Sequence, residues 1–267
     1  MWTFTEDVEA FAANAWPFLL ADPVANTVAL TVLTGVRTGM DMPGAYFGWW
    51  TADGQVRGAV FRTPPHQLGM ARMPLEAVTP LIESLHAHGR DIPAVGGPLH
   101  QVEEFVAHWP SDVAHIRSER LYELRELRVP AVPGHGRVAR AEEFGLLVSW
   151  YQGFQEDAGL PPTDVVPQVE RRLGLGDFVL WEHDGAPVSL AAVSVSVGGV
   201  CRIGPVYTPP SCRRRGFGAA VTAFASQSDR AERKVLFTDL SNPTSNAIYQ
   251  SIGYEPVADY ASVSFDG

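Results

Sequence analysis

The chain has 267 residues, of which 46% are hydrophobic and 19% charged, enough for two domains of ordinary size with separate cores. Its formal net charge of −10 argues against nucleic acid as the main partner, because binding to a phosphate backbone needs a basic surface. No apolar run is long enough to span a bilayer, and the first residues do not show a basic segment followed by an apolar one. The sequence therefore predicts a cytoplasmic protein without a membrane partner.

The first half of the chain alternates helical and strand patterns. Thr5–Leu20 carries apolar residues at helical spacing, with Thr5 as the expected N-cap. Aromatic and β-branched residues then flank Asp53-Gly54, a pair typical of a tight turn, which predicts a β-hairpin over Ala45–Phe61. A further helix is predicted over Leu75–His88, behind Pro74.

The same order of elements recurs in the second half. Helical patterns after Arg140 and after Thr163 precede a second hairpin, and Trp50-x-x-Asp53-Gly54 reappears as Trp181-x-x-Asp184-Gly185. A Pro- and Gly-rich segment at 129–136 stands between the two apolar regions and reads as a linker. The sequence therefore predicts two domains, residues 1–130 and 131–267.

One segment of this acidic protein is free of acids. Between Gly185 and Ser228 there is no Asp or Glu, whereas four arginines fall inside that window. A strand predicted at Val200–Tyr207 is broken by Pro209-Pro210, and a helical pattern resumes over Arg214–Gly218. Glycines at a helix start let the backbone approach a ligand, and the unpaired N–H groups of the first turn point at it. This geometry suits a diphosphate.

Arg213-Arg-Arg-Gly216-Phe-Gly218 resembles the acyl-CoA signature Q/R-x-x-G-x-G/A of the GNAT acetyltransferases. Farther along, the segment Thr238–Tyr254, with Asn-Pro-Thr-Ser-Asn and Tyr249, looks like the second motif of that superfamily. The wider pattern, over roughly Arg137–Phe265, is similar to bacterial GNAT proteins with two GNAT-like halves. The segment Met70–Glu76 has no Arg-x-x-Gly-x-Gly, so only one cofactor site is expected, in the second half.

The resemblance implies an α/β fold of two GNAT-like halves, each a mixed, mostly antiparallel sheet flanked by helices. It also implies acetyl-CoA as the acyl donor. The backbone of the fourth strand, at Val206 and Tyr207, and the side chains of Asn242 and Asn246 would contact pantetheine. The diphosphate would be bound by the loop and helix start, which comprise Arg213, Arg214, Arg215, Gly216, Phe217, Gly218 and Ala219.

The implied reaction is direct attack of an amine, from a small molecule or a peptide, on the thioester in a ternary complex. The resemblance gives Tyr249 a role near the sulfur, where a phenol can protonate the departing thiolate. The fourth strand offers no Glu as base, so Glu156 is the first candidate and Asp157 and Asp239 are alternatives. The missing Glu keeps a second hypothesis open, a non-catalytic acyl-CoA sensor. His86 and His88 face different sides of a helix, so no metal site is predicted.

Overall fold

The computed structural model describes residues 1–160 and 162–266, which form twelve strands and eight α-helices. The strands are β1 (Trp2–Thr5), β2 (Tyr46–Ala52), β3 (Gln55–Arg62), β4 (Leu68–Met70), β5 (Ala94–Pro98), β6 (Val113–Leu124), β7 (His135–Val138), β8 (Phe178–His183), β9 (Ala186–Val193), β10 (Val200–Tyr207), β11 (Arg233–Asp239) and β12 (Tyr254–Phe265). The helices are α1 (Val8–Leu20), α2 (Thr27–Arg37), α3 (Val78–Ala87), α4 (Leu99–His108), α5 (Phe144–Asp157), α6 (Val166–Gly174), α7 (Phe217–Ser226) and α8 (Pro243–Ser251).

The chain divides into two units. The first contains residues 1–121, 238–242 and 256–267, and the second contains residues 122–237 and 243–255. The predicted domain boundary after residue 130 stays a prediction. Within the described part of the chain, no helix has both the length and the apolar character needed to cross a membrane.

The first unit has the strand order β1-β2-β3-β4-β5-β12-β6, in which β4 and β5 are parallel and the other described pairs antiparallel. Its core is centred on residues such as Leu81 and Phe105, from α3 and α4. Helix α1 buries the predicted face, but its N-cap is Asp7 and not Thr5. The Asp7 carboxylate accepts from two N–H groups of the first turn, whereas Thr5 accepts only from the N–H of Asp7.

The second unit has the strand order β11-β10-β9-β8-β7, again with one parallel pair, β10 and β11. Helix α7 buries Phe217 and Val221 in one core cluster, and α5 buries Leu147 and Tyr151 in another. Both units are thus mixed, mostly antiparallel sheets with helices packed against them. The α/β class predicted from the sequence is confirmed.

The two hairpins repeat each other in detail. Asp53-Gly54 and Asp184-Gly185 both adopt positive φ, at 50° and 72° and at 51° and 74°. This conformation matches a two-residue type I′ turn, which fits the right-handed twist of the strands. The strand register also shifts directly after Trp50 in the first hairpin and directly after Trp181 in the second. The sequence repeat is therefore a repeat of backbone geometry.

Two predicted boundaries are wrong. Of the proposed linker, His135 and Gly136 belong to β7, and the carbonyl of Pro133 accepts a hydrogen bond of 3.0 Å from the Trp181 indole N–H. The segment is therefore part of the second unit. The helix expected from Arg214 begins at Phe217, because Arg214 and Gly216 both have positive φ, at 61° and 83°, which a right-handed helix excludes.

Candidate functional site

Strand β10 separates from one of its neighbours partway along its length. In the described register it pairs with β11 from Val200 to Arg202, whereas its pairing with β9 continues to Tyr207. A register shift lies between Ile203 and Val206 on the β9 side. The last part of β10 therefore has backbone edges that an extended ligand can meet, at the predicted residues Val206 and Tyr207.

Side chains from β9 and α5 fix the end of β10. The buried Ser189 hydroxyl donates to the Tyr207 carbonyl at 3.0 Å and lies 2.8 Å from the Thr208 hydroxyl. The Tyr207 ring packs so closely on α5 that a Cβ at Gly153 would lie 2.5 Å from its hydroxyl. Burial raises the pKa of Tyr207, with the nearby Asp157 carboxylate acting in the same direction. A glycine on α5 is thus what allows the tyrosine to lie there.

A buried ion cluster holds the irregular part of β10. Arg172, at the end of α6, donates to the Gly204 carbonyl at 3.1 Å and to the Asp177 carboxylate at 3.2 Å. Arg230 donates to the other Asp177 oxygen at 2.5 Å. Asp177 is only 3% exposed. The strand segment that precedes Val206 is therefore anchored through a carboxylate that two guanidinium groups share.

The loop from β10 to α7 presents backbone donors. The N–H of Ala220 makes the first helical hydrogen bond, of 3.0 Å, to the Gly216 carbonyl, so the N–H groups of Phe217, Gly218 and Ala219 point out of the helix end. Gly216 is exposed, and its φ of 83° suits a residue without a side chain. These donors, at the positive end of the helix dipole, form a site for an anion.

The three arginines of the loop have different neighbours. Arg213 forms an ion pair with Asp157 at the end of α5, and its Nε donates to the Thr208 carbonyl at 2.8 Å. The Arg215 guanidinium lies 4.7 Å from the centroid of the Phe217 ring. Arg214 is exposed. All three side chains border the loop, and Arg213 also connects it to α5.

Helix α8 carries two of the predicted residues. Asn246 accepts a 2.9 Å hydrogen bond from the hydroxyl of the buried Tyr122, which in turn accepts from Gln250 at 3.3 Å. The Tyr249 ring packs edge-to-face on Tyr254, with ring centroids 6.3 Å apart. Burial alone raises the pKa of Tyr249 to about 12. This phenol is therefore protonated at neutral pH and able to donate.

The third residue of that motif, Asn242, is exposed and lies directly before α8, where its N–H donates to the Asp239 carbonyl at 3.1 Å.

Of the three candidate bases, Asp239 accepts from the N–H and the hydroxyl of Ser241 and lies 3.8 Å from Arg117. Asp157 is paired with Arg213. Glu156 is exposed near the end of α5 and contributes to the electrostatic field at the Tyr207 hydroxyl. Glu156 is thus the candidate that the structure leaves least engaged.

Three residues near the site were not predicted from the sequence: Tyr122, Arg172 and Ser189. Ser189 has a recognisable signal, since it is one polar residue within the apolar strand Pro187–Val193. Tyr122 and Arg172 reach partners 124 and 32 positions away, and no local pattern marks such pairs.

Comparison with known proteins gives one match to a family model. The acetyltransferase (GNAT) family model matches residues 146–254, a range that includes β10, the loop, α7 and α8. A comparison with curated proteins found no match.

Solved structures share the fold over nearly the whole chain. An acetyltransferase of the GNAT family from Colwellia psychrerythraea superposes with a TM-score of 0.63, at 10% identity and with all of both chains covered. A GCN5-related N-acetyltransferase from Kribbella flavida gives 0.57 at 22% identity, covering 91% of this chain and 96% of its own. A tandem GNAT protein from the clavulanic acid pathway gives 0.59 at 13% identity, with both chains fully covered. At these identities the likeness shows the fold.

Proposed function

The chain carries a domain of the acetyltransferase (GNAT) family over residues 146–254, and from this premise we propose that it transfers an acetyl group from acetyl-CoA to an amine. The acceptor is the amine of a small molecule or a peptide. The proposal is that one acetyl-CoA binds per chain, in the second unit. The observation that carries it is the open edge of β10, followed directly by a loop whose helix start presents three backbone N–H groups.

The residues of this chain can bind acetyl-CoA, the acyl donor, in two places. The N–H groups of Phe217, Gly218 and Ala219 would bind the diphosphate, with Arg213, Arg214 and Arg215 adding positive charge at the rim. The backbone of Val206 and Tyr207 would meet the amides of pantetheine, as a further strand meets a sheet edge. Asn246 would donate to pantetheine from the first half of α8. In this proposal, Arg172 and Ser189 act as positioning residues, because they fix the carbonyls of Gly204 and Tyr207.

The chemistry requires two proton movements. The amine nitrogen attacks the thioester carbonyl, a C–N bond forms, the C–S bond breaks, and the electron pair leaves with sulfur. Tyr249 protonates that thiolate, and burial, which raises the pKa of the phenol to about 12, keeps the hydroxyl protonated and able to donate at neutral pH. Glu156 takes the proton that the amine loses, directly or through water. No residue of the protein has to act as a nucleophile and form an acyl-enzyme, because binding both substrates in one site supplies the rate advantage.

A second candidate is an acyl-CoA sensor without catalysis. It is favoured by the sequence of β10, where Arg202–Val206 includes no carboxylate to serve as base. Both candidates bind acetyl-CoA, but only the enzyme releases thiol at a rate that depends on an added amine.

Replacing Gly216 with alanine is expected to weaken acetyl-CoA binding about tenfold or more, as measured by calorimetry. An alanine in the left-handed region costs roughly 1–2 kcal/mol, and its Cβ would lie 2.9 Å from the Val132 side chain. The loop would therefore have to leave its present conformation.

Gly218→Ala is the matched control. Gly218 is helical, and a Cβ there would lie 3.4 Å from the Thr208 hydroxyl, an ordinary contact. We expect its affinity for acetyl-CoA to stay within about threefold of the wild type, since alanine favours a helix over glycine. Equal affinities for Gly216→Ala and wild type would remove the loop from the proposed site.

A further inference from the structure

Three buried donors without a hydrogen-bond partner lie together in the first unit. They are the Tyr46 hydroxyl, Nη1 of Arg62 and Nε of Arg90, and none has a partner among the described residues. Buried donors in folded proteins are almost always hydrogen-bonded, so three in one place need an explanation.

The three side chains are neighbours. Tyr46 and Arg62 are directly opposite each other in the register of β2 and β3, which puts their side chains on the same face of the sheet. The Arg90 guanidinium lies 3.8 Å from the centroid of the Tyr46 ring and 5.4 Å from that of Phe4. Tyr46 is 6% exposed and Arg62 is 7% exposed. Two cationic groups therefore flank one buried phenol.

The charges of these arginines are not balanced within the unit. Neither Arg62 nor Arg90 has a carboxylate within 4.0 Å in the part of the chain that the structure describes, and the nearby Asp91 is exposed. The aromatic rings offset part of the cost of burying Arg90. A guanidinium buried as deeply as Arg62 is stable only when an anion or further acceptors accompany it.

In the second unit, the corresponding position carries a counterion for two arginines. The residue 131 positions after Tyr46, the same offset that separates Trp50 from Trp181, is Asp177. Its carboxylate is shared by Arg172 and Arg230, and Arg230 follows α7 much as Arg90 follows α3. The second unit thus contains its own anion between two arginines, whereas the first unit has a tyrosine at that position.

We propose that the first unit binds a small oxyanion of the phosphate type between Arg62, Arg90 and the Tyr46 hydroxyl. Two guanidinium groups favour a doubly charged ligand, and their planar N–H groups match the oxygens of a phosphate. The phenol adds a neutral donor. Burial raises the pKa of Tyr46, which keeps that hydroxyl protonated at neutral pH.

Thermal unfolding in inorganic phosphate and in chloride, at equal ionic strength, tests the site. Phosphate is expected to raise the Tm of the wild-type protein by several degrees, because a ligand that binds only the folded state stabilises it. Arg62→Met is expected to lose this response and to be no less stable than wild type in chloride, since it removes a charge that lacks its counterion. A wild type that does not respond to phosphate would overturn the proposal.

Two controls locate the response. Arg57→Met removes an exposed arginine of the same strand and should keep the phosphate shift. Arg213→Met removes a charge from the proposed diphosphate loop, so it should lose only the part of the shift that phosphate bound at that loop contributes. A phosphate shift that persists undiminished in Arg62→Met, or that disappears completely in Arg213→Met, contradicts the site. An acetate shift as large as that of phosphate would contradict the preference for a phosphate-type ligand.

If Arg62→Met does not fold, Tyr46→Phe serves in its place. This variant keeps both charges and removes one donor, so calorimetry should show phosphate binding several-fold more weakly. Unchanged phosphate affinity in Tyr46→Phe would then contradict the assignment.

Discussion

Tyr249→Phe is expected to lower kcat about 100-fold or more while acetyl-CoA affinity stays within a few-fold of the wild type. The variant removes only the hydroxyl, and loss of a general acid costs a factor of this size. The ring, which packs on Tyr254, remains in place. Initial rates of thiol release and calorimetric titration with acetyl-CoA measure the two quantities.

Tyr254→Phe is the matched control for this change. Tyr254 is a buried neighbour whose hydroxyl lies 2.7 Å from the Ser226 hydroxyl, so its structural partner is known. Tyr254→Phe should lower the stability of the protein, since a structural hydrogen bond contributes roughly 1 kcal/mol to folding. It should leave kcat within about twofold of the wild type. If Tyr249→Phe lowers affinity and rate equally, the hydroxyl positions the donor and the acid role fails.

The pH dependence gives a second check on Tyr249. Only the protonated phenol can act as an acid, and burial raises its pKa to about 12. Ionisation of Tyr249 should therefore cause no loss of kcat below about pH 11. A loss of kcat below pH 10 that is present in the wild type and absent from Tyr249→Phe would contradict the proposed state of this residue.

Asp177→Asn is expected to lower the free energy of unfolding by about 3 kcal/mol, measured by urea denaturation. The change keeps the shape of the side chain but leaves Arg172 and Arg230 facing a neutral amide in a buried place. Removing one partner of a buried ion cluster costs far more than removing an exposed pair, because the remaining charge is desolvated without compensation.

Asp184→Asn provides the comparison. Asp184 is 86% exposed at its side chain and occupies the turn of the second hairpin, where asparagine also tolerates a positive φ. Its effect on stability should stay within about 0.5 kcal/mol. Equal effects for Asp177→Asn and Asp184→Asn would mean that the cluster at Asp177 does not stabilise the second unit.

Local features were predictable from the sequence. Strand β10 begins and ends where its apolar pattern does, and the two Asp-Gly turns are tight because their residues tolerate positive φ. Element boundaries that depend on competition between neighbouring residues were less predictable. Asp7 replaces Thr5 as the cap of α1 because its carboxylate reaches two N–H groups. Helix α7 starts three residues late because Arg214 and Gly216 turn the chain to the left-handed region.

The remaining features of the candidate site come from tertiary contacts. The hydrogen bond from Tyr122 to Asn246 joins residues 124 positions apart, and it involves a strand that lies before the predicted catalytic half. Likewise, the hydrogen bond from Arg172 to the Gly204 carbonyl joins α6 to β10 across 32 positions of the chain. Such contacts follow from the assembled sheet, so a pattern of nearby residues cannot indicate them.

The most direct test of the proposed function is amine-dependent turnover. Purified protein is incubated with acetyl-CoA and a panel of small amines and peptides, and free thiol and acetylated amine are measured together. At least one amine is expected to give thiol and acetylated product in equal amounts. Gly216→Ala is expected to reduce both products at limiting acetyl-CoA, whereas Gly218→Ala is not. Tight binding of acetyl-CoA with no amine-dependent thiol release across the panel would contradict the proposed acetyltransferase function and favour an acyl-CoA sensor.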